Sequence, residues 1–157
     1  MNALQLTKEQ IKAKIAEVLK TGQWMIRRSD NGVGYNEFKW QPIGMWTECP
    51  DKETLIKMGY SEKDALKMAW NDRPECGGGL HGNDPESDGY WTEGTTIEFC
   101  AVENVIRLGD KIKCQRAMIL MRNALPKIKK FSGMLDLSGC NLTGVTLPDK
   151  FKKKIIR

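Results

Sequence analysis

Apolar positions first recur at helical spacing after Thr7. Ile11, Ile15, Val18 and Leu19 share one face, Thr7 is placed as an N-cap with Glu9 in the first turn, and Gly22 stands just past the end. The pattern predicts an amphipathic helix over 7–19, with one face packed on the rest of the chain. The period then changes. Trp24-Met25-Ile26-Arg27-Arg28 reads as a strand, Asn31-Gly32 as a turn, and the alternating stretch from Tyr35 to Trp40 as the returning strand, which predicts a first hairpin over Trp24–Trp40. Gly44-Met45-Trp46 is a further extended piece before Pro50.

Helical spacing returns in two parts. Asp51–Met58 is broken by Gly59, and Ser61-Glu62-Lys63-Asp64 then resembles a capping box, with Asp in place of Glu, ahead of Ala65, Leu66, Met68 and Ala69. Asn71 to Pro74 ends that helix, and Cys76 to Trp91 is rich in glycine and turn residues. Thr95–Val102 and Lys111–Arg122 read as strands, joined through a turn at Gly109-Asp110. This order predicts an α+β fold, with a mainly antiparallel sheet, the N-terminal helix packed on it and a short β-solenoid-like C-terminal segment. Residues 1–126 are expected to form the α+β domain, and 127–157 a segment and basic tail packed on it.

The solenoid expectation comes from Leu137, Leu142 and Leu147, which recur every five residues with polar or small residues between them. Neither a helix nor a flat strand has that period. A square-sectioned β-solenoid does, with each central leucine pointing inward, and the stretch resembles pentapeptide-repeat proteins. So few coils cannot bury a core of their own, so the segment is expected to act as a cap or edge on the main domain.

The chain has 157 residues, 40% of them hydrophobic, enough for one domain with a core of its own. No window approaches the roughly 18 apolar residues that span a bilayer, and the first residues lack the pattern of a signal peptide. A cytoplasmic protein with no membrane partner is expected. The five cysteines, Cys49, Cys76, Cys100, Cys114 and Cys140, are odd in number, widely spaced and without a CxxC pair. Reduced thiols are expected, with no metal and no cofactor. The net charge of +5 gathers in the last third, at Lys127, Lys129, Lys130, Lys150, Lys152, Lys153, Lys154 and Arg157. That tail reads either as a solvated surface or as a face for a polyanion. Only Phe131 and Phe151 interleave with its lysines, which is poor material for stacking single-stranded bases.

The most distinctive segment is Trp70-Asn71-Asp72-Arg73-Pro74-Glu75-Cys76-Gly77-Gly78-Gly79-Leu80-His81-Gly82. Upstream lies Tyr35–Trp40, and downstream Ile97–Val102 and Leu108-Gly109-Asp110-Lys111-Ile112-Lys113. This succession resembles an uncharacterised domain of unknown function found in phages and bacteria, often near mobile elements, with the pattern Cys-Gly-x-Gly-Leu-His-Gly, then a strand, then a Gly-x-Lys-x-Lys segment. The resemblance covers 24–122. It implies a phage or mobile-element origin, hence the cytoplasm of an infected host, and implies no activity.

Physically, Gly77, Gly78 and Gly79 permit positive φ and close backbone approach, and their N–H groups could form an anion-binding nest. No P-loop lysine and serine follow. His81, the single histidine, reads as a general base, a ligand contact or a structural hydrogen-bonder; Cys76 reads as a nucleophile or as a packed strand-end residue. With Arg73, Lys111 and Lys113 these residues form the expected ligand-binding set. Gly-Leu-His followed by Tyr90-Trp91 also distantly resembles the second core strand of ADP-ribosyltransferases. In that reading Arg27 or Arg28 would contact NAD, and Glu98 or Glu103 would catalyse.

No complete catalytic constellation is present, so the expected role is binding. It is that of a phage-type accessory or anti-defence protein occupying a host protein complex, a nucleic acid or a nucleotide signal. The alternatives are an NAD-dependent ADP-ribosyltransferase-like enzyme or a virion structural protein. A protein partner would use the tryptophans, Trp24, Trp40, Trp46, Trp70 and Trp91, where they are exposed; the competing reading places most of them in the core.

Overall fold

A computed structural model of the chain describes residues 4–30, 32–84, 94–109 and 111–128, together with the backbone of two short strands at 135–136 and 155–156. Helix α1 runs Lys8–Thr21. Thr7 and Gln10 form a reciprocal capping box at its start, and Gly22 closes it in the left-handed conformation. Strand β1 (Trp24–Ser29) is followed by a 3-10 turn at Tyr35–Glu37 and by β2 (Trp46–Glu48). Helices α2 (Lys52–Lys57) and α3 (Glu62–Met68) are capped by Asp51 and Ser61, whose side chains accept from Thr54 N and Asp64 N. Strands β3 (Leu80–Asn83), β4 (Thr96–Arg107) and β5 (Lys111–Arg122) complete the sheet.

β4 and β5 form the expected antiparallel hairpin, with β4 running five residues further than its sequence pattern indicates, to Arg107. β1 lies along β4, β3 lies between β1 and β5, and β5 pairs back with β4, so the antiparallel sheet closes into a small barrel, with β2 added to β5. β6 (Leu135–Asp136) and β7 (Ile155–Ile156) pair in parallel. The leucines at 137, 142 and 147 and the lysines of the tail lie outside the described residues.

The first hairpin expected from the sequence does not form. Asp30 and Val33 do exchange backbone hydrogen bonds of 3.0 and 3.1 Å, so the turn is real. Both edges of β1 are taken, by β3 and β4, and no edge is left for a returning strand. The chain curls instead through Asn36 and Glu37, with φ of 56° and 59°, and folds Phe38 and Trp40 inward.

Two apolar clusters result. Trp24, Ile26, Phe99, Met118 and Leu120 face outward from the ring and are covered by α1 through Val18, Ile11 and Ile15. Met25, Leu80, Cys100, Ile112 and Cys114 come from every strand of the ring and meet in the second cluster, which fills its inside and is plugged by Phe38, Trp40, Leu55 and Ala65. Of the described tryptophans, Trp24 and Trp40 are buried and Trp46 and Trp70 half-buried. No described helix is long and apolar enough to cross a membrane.

Gly82 lets β3 cross close to β1. A Cβ there would lie 2.5 Å from Met25 Sδ and 3.1 Å from the Ile26 carbonyl oxygen. Gly82→Ala should therefore lower unfolding free energy by about 1–3 kcal/mol, the usual cost of overpacking. Urea denaturation followed by tryptophan fluorescence measures it. Unchanged stability would show that β3 does not press on β1 as described.

Candidate functional site

A cavity of about 560 Å³ opens at the end of the barrel where β1 finishes and β3 begins. It is lined by residues 27–30 at the end of β1, by Val33, Gly34, Phe38 and Trp40 from the segment that follows, by Cys49, Pro50 and residues 66–68 around α3, and by Asn71, Arg73, Glu75 and residues 76–81 of the glycine-rich loop and β3. The volume falls within the roughly 300–1,000 Å³ common for small-ligand sites, and barrel mouths are frequent places for them.

Six of the eight residues expected at the site line this cavity: Arg73, Cys76, Gly77, Gly78, Gly79 and His81. Lys111 and Lys113 stand behind the loop and hold it. Lys113 is fully buried. Its ammonium donates to Asn71 Oδ1 (2.8 Å), the Gly77 carbonyl (3.1 Å) and the Glu75 carbonyl (3.3 Å), and lies 5.6 Å from the Trp70 ring. Burial pulls its pKa down, and the nearby Glu75 carboxylate opposes that shift. Lys111 Nζ donates to Cys76 Sγ at 3.0 Å. Arg73 is exposed and pairs with Glu75 at 3.0 Å.

Gly77 and Gly78 have φ of +93° and +64°, as a tight loop over the lysine requires. The Gly78 N–H donates to the Lys67 carbonyl at 2.9 Å, and its carbonyl accepts from Asn71 N at 2.9 Å. The Gly77 carbonyl serves Lys113. These loop groups are thus engaged in holding the loop itself. Cys76 is exposed, whereas Cys49, Cys100 and Cys114 are buried. Desolvation lifts the Cys49 thiol to about 12 and pushes Cys100 and Cys114 upward as well.

The sequence offers Arg27 and Glu98 only through the transferase resemblance, and does not show that they form one charged row with Arg122. Arg27, Glu98 and Arg122 are direct neighbours across β1, β4 and β5. Glu98 is fully buried. One of its oxygens accepts from Arg122 Nε at 2.8 Å; the other accepts from Ser29 Oγ at 2.8 Å and faces Arg27 Nε at 3.5 Å. The Arg27 guanidinium stacks 3.5 Å from the Trp40 ring centre. Desolvation lowers the pKa of Arg27, and Glu98 counters it. A readable signal existed, namely a charge in the middle of an apolar strand, as in Ile26-Arg27 and Ile97-Glu98-Phe99. Glu98 and Glu103, the acids of the transferase reading, do not line the cavity; Glu103 instead pairs with Arg116 at 3.2 Å. Among the described residues no group of three or more His, Cys, Asp or Glu gathers as a metal site would require.

Compared with protein-family models, with curated proteins and with solved structures, the chain gives no significant match.

Two predictions follow from this geometry. Lys113→Met leaves the Asn71, Glu75 and Gly77 oxygens without their donor, and should cost about 1–3 kcal/mol of stability. A glutamate-specific endoprotease should then cut after Glu75 faster than in the wild type; equal rates would separate Lys113 from the loop. In a Cys140→Ser background, Ellman's reagent should modify one thiol rapidly under native conditions, and Cys76→Ser should abolish that phase. A rapid phase that persists would show that a buried thiol is reachable.

Proposed function

We propose that this protein is a binding protein, and that of the occupants expected from its sequence the small, nucleotide-class ligand fits best. The cavity carries this reading. Its volume is that of a small-molecule site, and its lining mixes the apolar Phe38, Trp40, Leu66 and Met68 with the cationic Arg27, Arg28, Lys67 and Arg73 and the acidic Asp30 and Glu75. Flat apolar surface beside fixed positive charge suits a ligand with a ring at one end and an anionic group at the other. In the phage setting that the resemblance implies, the protein would act as an accessory, anti-defence factor by sequestering such a signal. A polymeric nucleic acid would instead lie along an open basic surface, and a protein partner would meet exposed aromatic residues, whereas the described tryptophans are buried or half-buried.

Thermal denaturation with nucleoside mono-, di- and cyclic phosphates, cyclic dinucleotides and NAD tests this. A ligand at about 100 times its Kd stabilises by about 2.7 kcal/mol and raises Tm by several degrees. The shift should survive an increase from ~50 to ~200 mM salt, because few counterions are released. No shift with any compound, together with steeply salt-dependent retention of DNA or RNA, would replace this reading with a polyanion-binding one. Transfer of label from NAD to host proteins, lost on replacing Glu98 or Glu103, would replace it with the transferase.

A further inference from the structure

Resting on the reading of the cavity as a small-ligand site, we infer that Arg27 is its anion anchor and that the ligand presents a phosphate-type oxyanion to the Arg27 guanidinium. The first observation is charge. In the charged row the buried Glu98 carboxylate faces two guanidinium groups, the buried Arg27 and the partly exposed Arg122, which leaves one positive charge without a carboxylate in the row. Glu98 is held more closely by Arg122, with both contacts at 2.8 Å, than by Arg27 at 3.5 Å, so the excess lies on the Arg27 side.

The second observation is an unmade bond. Arg27 is 3% exposed and lines the cavity, yet its Nη1 is enclosed and has no hydrogen-bond partner. Buried donors are satisfied as a rule, and a charged one left unmatched is the costlier case. The neighbouring groups are already committed. Arg28 donates to the Gly94 carbonyl at 3.0 and 2.7 Å, and Ser29 Oγ donates to Glu98 and accepts from Gly32 N. An oxyanion entering the cavity would supply the missing acceptor and the missing charge together, and the planar fork matches phosphate geometry.

The third observation is the packing of Gly34 on the same group. A Cβ on Gly34 would lie 3.1 Å from Arg27 Nη2 and 3.5 Å from Trp40 Nε1, so any side chain there would crowd the guanidinium. A ring on the ligand would then lie over the apolar wall beside Phe38 and Met68. A neutral molecule of the same shape would gain the wall and leave the excess charge unanswered.

Calorimetric titration of the full chain with AMP against adenosine, and with GMP against guanosine, tests the anchor. At least one nucleotide should bind ten-fold or more tightly than its nucleoside. Arg27→Lys should remove most of that preference while leaving nucleoside affinity within about two-fold. Should that variant fail to fold, Gly34→Ala keeps all three charged residues and crowds the Arg27 guanidinium; it should weaken the nucleotide three-fold or more and leave the nucleoside unaffected. If nucleosides bind as well as nucleotides, or if both variants keep the preference, the anchor is wrong and the cavity reading stands. If none of the four compounds binds, both fall.

Discussion

Everything at the open end of the barrel depends on the row Arg27–Glu98–Arg122, in which three charged side chains lie abreast on three adjacent strands. Burying charge is expensive, and a pair breaks even only when its remaining donors and acceptors are met. Glu98 approaches that condition, with Arg122 on one oxygen and Ser29 and Arg27 on the other. Arg27 does not, although Trp40 covers its face. The row is possible because of an irregularity between Phe99 and Cys100, where the register passes from Met121 to Ile119 and leaves Leu120 as an extra residue on β5. Leu120 and Met121 both pack toward the outer cluster, and the phase of the strand shifts by one. Arg122 is thereby turned to the side of Glu98 instead of away from it.

A second buried cation solves a different problem. The loop from Asn71 to Gly79 is short of apolar residues and contributes little to either core. Lys113 reaches up from β5 into that loop and gathers a side-chain amide oxygen and two carbonyls around its ammonium. Asn71 acts as the counterpart, bonding Lys113, Arg73 N and the Gly78 carbonyl. The result is a loop held by polar contacts, forming a defined wall opposite Trp40. The same arrangement engages the Gly77 and Gly78 carbonyls and the Gly78 N–H within the loop itself.

These two features divide the work at the site. The strand row sets the sign of the charge at the floor, and the loop sets the shape of the opening. Neither resembles a set of reacting groups. The exposed thiol of Cys76 has Lys111 beside it, and His81 sits on β3 across from Lys113. The acids that a transfer reaction would need are tied into ion pairs elsewhere.

Local patterns were enough for every element whose stability is local. Thr7 and Gly22 bracket α1, Ser61 opens α3, and the turn at Gly109 joins β4 to β5, because caps and tight turns are decided within a few residues. The glycine-rich motif and its two lysines were legible as a unit for the same reason: composition that departs so far from the average has a local cause. The partner of β1 was not legible. A two-residue turn at 31–32 favours a hairpin, and only the long-range competition of β3 and β4 for the edges of β1 overrides it. The buried charges were flagged by their apolar neighbours in the strands, but that they form one row was equally out of reach. Arg27, Glu98 and Arg122 lie far apart in the chain, and strand register together with a one-residue bulge, both set by the closing of the barrel, places them side by side.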